Sequence, residues 1–392
     1  VTSKISRFGF VVGGALVGAC AHGQVANLLN ALDAGSHSLG MGSALTATDA
    51  EVLSTFNNPA GLGYLSGRQF AIAYGNLPTA ASTVSDVYGD RSFSSYFNGD
   101  SDITYFGVTL PLSTSKNHGT IGFCYNVGGF LDDVGTSNGV LPYSSNTNLE
   151  AANYTDQRYA KDDYVTVSYG KTNNEHTMSL GFGLTYVQQS TIYQQQFSIY
   201  DTTSGSPVLA STQNTGYLSG AGSGVGAIAG IELIPANTPN LSFGLSLRSP
   251  IRLGGGGAVD QYYSVIPGKL LAGAALRGTG LKRRSSDFTV LGVQVEQYFG
   301  GSGQGLFAQQ AQTVTDLGGE YDFGLDSFNV PVRIGYRSIP SGGSQFADVS
   351  ALTYGLGIHD KENRYSLDAN WSRITGGMNQ LSITASVRFS NP

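Results

Sequence analysis

Charge, sulfur and long apolar runs are what this chain has little of. Asp, Glu, Lys and Arg make up 12% of its 392 residues, about half the roughly 25% usual in soluble domains. Two cysteines, Cys20 and Cys124, are too few for a disulfide framework. The five histidines (His22, His37, His118, His176 and His359) are scattered, none at metal-ligand spacing, so no metal site is expected. Twenty-one basic residues against 27 acidic ones give a net charge of -6, which offers no basic surface to nucleic acid. No stretch reaches the run of about 20 apolar residues that a membrane-spanning helix needs.

Glycine and aromatics are abundant instead. Gly accounts for 55 of 392 residues, about twice its usual share, and Tyr (22) and Phe (19) are plentiful. A hydrophobic fraction of 40% with a mean hydropathy of -0.06 suits a transmembrane barrel, in which apolar and polar residues alternate and nearly cancel. Residues 1–23 read as a signal peptide: Lys4 and Arg7 precede the apolar run Phe8–Ala19, and Ala21-His22-Gly23 forms a small-x-small cleavage site before Gln24. Val17-Gly18-Ala19-Cys20 also fits a lipidation signal at Cys20 loosely, and that alternative stays open.

From Gln69 onward the chain alternates with period 2, the mark of strands with two unlike faces. Met178, Leu180, Phe182, Leu184 and Tyr186 alternate with Ser179, Gly181, Gly183 and Thr185; Leu381, Ile383, Ala385, Val387 and Phe389 alternate with Ser382, Thr384, Ser386 and Arg388. About fourteen such segments follow one another, near 69–75, 101–111, 118–127, 163–171, 176–189, 225–232, 241–248, 269–277, 287–299, 312–323, 328–336, 349–359, 364–373 and 379–389. The connections sort by parity. Those after odd segments are mostly long (76–100, 128–162, 190–224, 249–268, 300–311 and 337–348, with 374–378 short), whereas those after even segments are short. An outer-membrane barrel has an even strand count, long outer loops and short periplasmic turns; a soluble sandwich has no reason to obey such a rule. The expected fold is therefore an all-β antiparallel transmembrane barrel of about fourteen strands over 69–389, with a three-residue tail, in the bacterial outer membrane.

Charges within the segments fall on the polar face: Glu296, Glu320, Asp322, Arg333, Arg337 and Arg388. Glu320 and Asp322 are expected to face Arg333 and Arg337 across neighbouring strands, keeping the lumen polar. Catalytic patterns lack a scaffold. Gly135-Thr136-Ser137-Asn138-Gly139 matches a nucleophile elbow but is expected in a polar loop without its helix. Gly224 to Ala229 matches a loose dinucleotide pattern but opens a strand. No catalytic residues and no cofactor are expected.

Two stretches carry a family resemblance. Leu39-Gly40-Met41-Gly42-Ser43-Ala44 followed by Asn57-Asn58-Pro59-Ala60-Gly61-Leu62 resembles the glycine-rich segment and Asn-Pro-Ala signature of the FadL/OmpP/TodX-type outer-membrane transport superfamily, including its PorV/PorQ-like branch. Leu247-Arg248-Ser249-Pro250-Ile251, Ile266-Pro267-Gly268, Gly318-Gly319-Glu320-Tyr321, Val332–Arg337 and Tyr354–Phe389 continue it. The resemblance implies a hatch over residues 24–68 inside the barrel, with Gly40, Gly42, Asn58, Pro59, Ala60 and Gly61 as its motif. It also implies outer-membrane lipids and the barrel-assembly machinery as partners. Two functions are compatible with it: passage of hydrophobic small molecules of the long-chain fatty acid type, or a shuttle for secreted cargo protein without small-molecule transport. Loop aromatics Tyr88, Phe93, Tyr96, Phe97 and Phe130 are the candidate ligand contacts, and they suit apolar ligands or a protein interface equally.

Overall fold

The computed structural model describes residues 35–47, 51–77, 80–84, 93–96, 100–112, 119–137, 141–142, 148–206, 208–214, 218–256, 264–279, 287–299, 311–340, 348–375 and 379–389. The expected signal peptide, Cys20 and residues 24–34 lie outside them. Fourteen strands form the wall: β1 (Arg68–Leu77), β2 (Asp100–Pro111), β3 (Thr120–Ser137), β4 (Leu149–Thr172), β5 (Met178–Asp201), β6 (Leu218–Leu233), β7 (Leu241–Arg248), β8 (Lys269–Thr279), β9 (Phe288–Tyr298), β10 (Gln312–Gly324), β11 (Phe328–Ile339), β12 (Val349–Asp360), β13 (Tyr365–Ile374) and β14 (Asn379–Phe389). Chain neighbours pair antiparallel throughout. β1 closes the ring on β14, from Arg68↔Phe389 to Gly75↔Ser382, so the wall leaves no free edge. Each of the fourteen expected segments falls on one strand.

The two faces are inverted relative to a soluble protein. On β5, Leu180, Phe182 and Leu184 are exposed on the outside while Ser179 and Thr185 are fully buried; Ser242, Ser246, Asn370 and Ser382 are likewise buried on other strands. This outer apolar band faces lipid tails, and the small polar inner face needs hydrogen-bond partners inside.

Four strands are longer than their alternation indicates. β3 runs on to Ser137, β4 begins at Leu149, β5 continues to Asp201 and β6 begins at Leu218. Most of the expected loops 128–162 and 190–224 is thus hydrogen-bonded ladder. The cause lies in the residue types: in Asn153-Tyr154-Thr155-Asp156-Gln157-Arg158 and Gln188-Gln189-Ser190-Thr191 polar residues fall at both parities, so the apolar rhythm stops while backbone pairing continues. Gly135–Ser137 accordingly end a strand and do not lie in a loop. The expected loop 76–100 also holds two short strands, Ala80–Val84 and Phe93–Tyr96, paired with each other.

Inside the barrel lies an inner segment, described over residues 35–47 and 51–67. It forms a short helix α1 (Ser36–Gly40), a single turn α2 (Ser54–Asn57) and a 3-10 turn (Pro59–Tyr64). Its backbone finds partners on the polar wall, as buried peptide groups must. Ser168 Oγ donates to the Thr55 carbonyl at 2.7 Å, Ser179 Oγ to that of Ala60 at 2.5 Å, and Ser242 Oγ to that of Ala47 at 2.5 Å. The Thr46 amide donates to Gln294 Oε1 at 2.9 Å and Thr353 Oγ1 donates to the Gly40 carbonyl at 3.2 Å.

Candidate functional site

The Asn-Pro-Ala stretch is held for local reasons. Asn58 Oδ1 accepts from the Ala60 amide (3.3 Å), capping the 3-10 turn, while Asn58 Nδ2 donates to the Thr46 carbonyl at 2.9 Å and ties the two halves of the segment together. Pro59 occupies the first position of the turn, where its missing N–H costs nothing. The wall is cut away beneath it: a Cβ on Gly181 would lie 2.2 Å from the Pro59 carbonyl carbon, and one on Gly170 2.2 Å from its oxygen. Gly42 has φ +60, and a side chain there would also strike the β10 and β11 backbones. Gly40, Ala60 and Gly61 are buried in the same packing.

The inner charges form two clusters on opposite sides of this segment. Toward the short turns, Glu51, His37, Glu320, Arg333, Asp368 and His359 make a chain. His37 Nδ1 is 3.0 Å from Glu51 and its Nε2 is 3.3 Å from Glu320; Arg333 joins Glu320 at 2.5 Å and Asp368 at 2.6 Å, and His359 reaches Asp368 at 3.0 Å. Burial and the Arg333 charge oppose protonation of His37, but the two carboxylates outweigh them and raise its pKa to about 10. This chain borders a cavity of about 520 Å³, also lined by Asp322 and Arg388. Toward the long connections, Lys269 and Arg337 each lie 3.2 Å from Glu296, and Arg337 is 3.2 Å from Asp316. Arg248 stacks on Phe56, 3.7 Å from the ring centroid, and donates to the Phe56 carbonyl at 2.9 Å. Of these groups Arg248, Lys269, Glu296 and Arg337 border a cavity of about 50 Å³ together with Phe56, Asn126, Val127 and Gly128.

The expected pairing of charges is therefore half right. Glu320 does face Arg333, its register partner, but Asp322 lies opposite Pro331, and Arg337 goes to Asp316 and Glu296. The cross-strand register decides this, and a boundary error of two residues moves every pair. Lys269, Asp316, Arg248, His37 and Asp368 were missed. His37 itself and the Phe56 partner of Arg248 lie on the inner segment, which no strand pattern locates.

Beside the smaller cavity the wall is interrupted. β2 pairs with β3 only from Pro111↔Thr120 to Tyr105↔Asn126. Above that, Asp100–Ile103 pair with β1, while β3 bulges at Gly128 and pairs with β4 (Val127↔Asp163, Gly129↔Asp162). Among the described residues, no backbone pair joins β2 to β3 in this stretch. The window is bounded above by Ala80–Val84, which pairs parallel with β3 at Asp133–Ser137. Phe130 sits in the window, buried with Leu77 and Val127 and flanked by Tyr125 and Tyr159. Of the other candidate aromatics, Tyr88 and Phe97 lie outside the described residues, and only the backbone of Phe93 and Tyr96 is described.

No protein-family model matches the chain, and no curated protein matches its sequence. Solved structures do. The CymD monoaromatic hydrocarbon channel is 13% identical with a TM-score of 0.54, over 91% of this chain and 98% of that one. A Pseudomonas aeruginosa FadL homologue is 14% identical with a TM-score of 0.53, over 94% and 98%. A deltaS2 mutant of the TodX monoaromatic hydrocarbon channel is 12% identical with a TM-score of 0.51, over 92% and 99%. At such identities the likeness is one of fold: this chain is an outer-membrane β-barrel with the architecture shared by FadL-type channels.

Proposed function

We propose that the protein passes hydrophobic small molecules of the long-chain fatty acid type across the outer membrane. The observation that carries this reading is the window between β2 and β3, filled by Phe130, Val127 and Leu77 and backed by a cavity. A closed ladder admits nothing sideways, whereas an apolar break in it offers a route that a greasy molecule can follow without entering water. The cations behind the window favour an acid over a neutral hydrocarbon. Arg248, Lys269 and Arg337 outnumber Glu296 and Asp316, and Arg248 Nε has no partner among the described residues. The three channels of like fold are named for monoaromatic hydrocarbons or for FadL, which supports an apolar cargo of one kind or the other.

Proteoliposomes containing the purified barrel test this reading. Uptake of a fluorescent long-chain fatty acid should exceed that of a neutral aromatic, and Arg248→Gln should narrow the difference by about tenfold, the scale of one charged hydrogen bond. Equal uptake of both would remove the acid preference. Uptake of neither, with a secreted protein co-purifying, would assign the barrel to surface-protein shuttling.

A further inference from the structure

A third cavity, of about 10 Å³, lies in the inner segment between the two already described. Thr46, Glu51, Ser54, Asn57, Gly61 and Glu232 line it. Glu51 and Glu232 also line the larger cavity, and Asn57 also lines the smaller one. A succession of spaces with common walls thus runs from the short-turn side to Arg248, Lys269 and Arg337. Its middle is polar. The Glu51 amide donates to Ser54 Oγ at 3.2 Å, and Thr46 Oγ1 donates to Gln294 Oε1. Gln294 lines the smaller cavity, and its Nε2 donates to Glu296 at 3.0 Å and to Asp316 at 2.9 Å. A space of about 10 Å³ holds one water when two to four polar groups surround it, and these groups meet that need. Gly61 keeps the space open: a Cβ there would stand 2.8 Å from Ser54 Oγ and 3.6 Å from Glu232 Oε2.

We propose that this succession is a proton path, which delivers a proton from water on the short-turn side to a carboxylate cargo held in the smaller cavity. The inference deepens the passage reading and rests on it. The cations beside the smaller cavity hold an acid as its anion, yet an ion enters lipid only at a large desolvation cost. What favours capture therefore opposes release, and one added proton resolves the conflict. Glu232 on β6 takes a proton from water in the larger cavity and passes it to water in the small one. One O–H bond forms on the cargo carboxylate as one breaks on the relaying water, which regains its proton from Glu232. Nothing is oxidised or reduced. The charged and titratable groups facing Glu51 and Glu232 are His37 on α1, Tyr64 on the 3-10 turn, Tyr105 on β2, Arg277 on β8, Glu320 on β10 and Arg333 on β11, all on the larger cavity. The His37–Glu51 contact holds the segment as a whole, so its titration acts on every cargo alike, whereas a proton path serves acids alone.

The test compares oleate with oleyl alcohol, which has a like chain and needs no proton. Protein-dependent uptake of each is measured in proteoliposomes whose short-turn rim faces the lumen, with the lumen and the outer medium buffered separately. Lowering the lumen from about pH 8 to about pH 6 should raise the ratio of oleate to alcohol uptake by up to about tenfold per unit, the gain in proton supply while delivery limits the rate. Changing the outer pH alone should not raise it. Glu232→Gln should abolish the rise. Gly61→Ala, which leaves every carboxylate in place and fills the space between Ser54 and Glu232, should do the same. The ratio is the readout because a general loss of folding, or a loosened His37–Glu51 contact, moves both uptakes together. A ratio that follows the outer pH, or that keeps its full rise in Glu232→Gln or in Gly61→Ala, overturns the path and leaves the passage reading standing. Uptake of neither probe by the parent overturns the passage reading and the path with it.

Discussion

The wall from β7 to β14 and the wall from β1 to β5 are built from the same alternation but behave differently. From β7 onward every ladder keeps one register, even past Pro331, where pairing resumes between Val332 and Leu356 in step with Asn329 and His359. From β1 to β5 the register shifts at Ala73/Tyr74, at Val127/Gly129 and at Ala152/Thr155, and the β2–β3 ladder stops halfway. The regular wall draws its stability from continuous backbone pairing and lipid-facing side chains. The irregular wall replaces part of its ladder with packed side chains, Leu77, Val127 and Phe130 among them. Ladder support and side-chain support are thereby divided around one ring.

The largest effect should come from reversing the faces in the regular wall. Ile383 and Thr384 are neighbours at the middle of β14, the first exposed to lipid and the second lining the 520 Å³ cavity. Ile383→Arg should cost about 2–4 kcal/mol, the range for a cation near the bilayer midplane, while Thr384→Arg should be within about 1 kcal/mol of the parent because its charge reaches water in the cavity. Urea unfolding in bilayers measures both; equal losses would mean that β14 lacks two distinct faces. Gly183 is no substitute for Thr384 in this comparison, although sequence alternation alone recommends it, because a side chain there would strike Ser168.

A smaller effect separates glycines that touch the inner segment from those that do not. Gly181→Val on β5 drives atoms into Pro59 and should cost about 1–3 kcal/mol, the usual scale of overpacking. Gly278→Val on β8 meets only Thr289 Oγ1 at 3.4 Å and should cost little. Limited proteolysis near Asn57-Asn58 should rise in the first variant alone. Equal susceptibility would detach the segment from the wall that the geometry gives it.

Strand number, strand order and the sorting of connections were legible because lipid on one side and a packed polar interior on the other impose a two-residue period. Two things were not. The overhang of β4 and β5 was hidden because Gln188, Gln189, Ser190 and Thr191 are polar on both faces, and backbone pairing between such residues leaves no apolar rhythm. The site was hidden because its contacts are made across the lumen. His37 finds Glu320 and Arg248 finds Phe56 over separations of 283 and 192 residues, and no local pattern encodes those meetings. The expected motif Gly40, Gly42, Asn58, Pro59, Ala60 and Gly61 does sit together in the lumen, but its role as a hatch remains our proposal, as does the 24–68 boundary.

That role has a pH signature of moderate size. Both ring nitrogens of His37 face carboxylates, so the clasp needs the doubly protonated ring. The folded pKa, about 10, lies above the unfolded value of about 6.5. A raised histidine stabilises fully below the unfolded pKa, and the gain is lost as pH rises through the folded one. The segment should therefore be held most tightly below about pH 6.5 and loosen progressively toward pH 10. In planar bilayers the parent should conduct little at pH 6 and more at pH 10, and His37→Gln should flatten the change. A pH-independent conductance in the parent would remove His37 from the clasp.

The smallest effect on stability tests which rim faces outward, and with it on which side of the membrane the irregular wall carries its overhang. The turn 173–177 joins β4 to β5 at the short-connection rim, closed by Asn173 Oδ1 accepting from the Thr177 and Met178 amides at 2.9 and 3.1 Å. At the other end of β5, Gly205 occupies an exposed turn with φ +76, and nothing lies within 4 Å of its added Cβ. A short epitope inserted at Gly205 or beside Glu175 disturbs no ladder, so each should shift stability by less than about 0.5 kcal/mol. The two insertions should nevertheless behave oppositely toward antibody. The Gly205 epitope should be detected on intact cells, and the Glu175 epitope only after the outer membrane is permeabilised. The reverse pattern would put the overhang in the periplasm and the window in the inner leaflet. Detection of both on intact cells would contradict a strand that crosses the membrane between them.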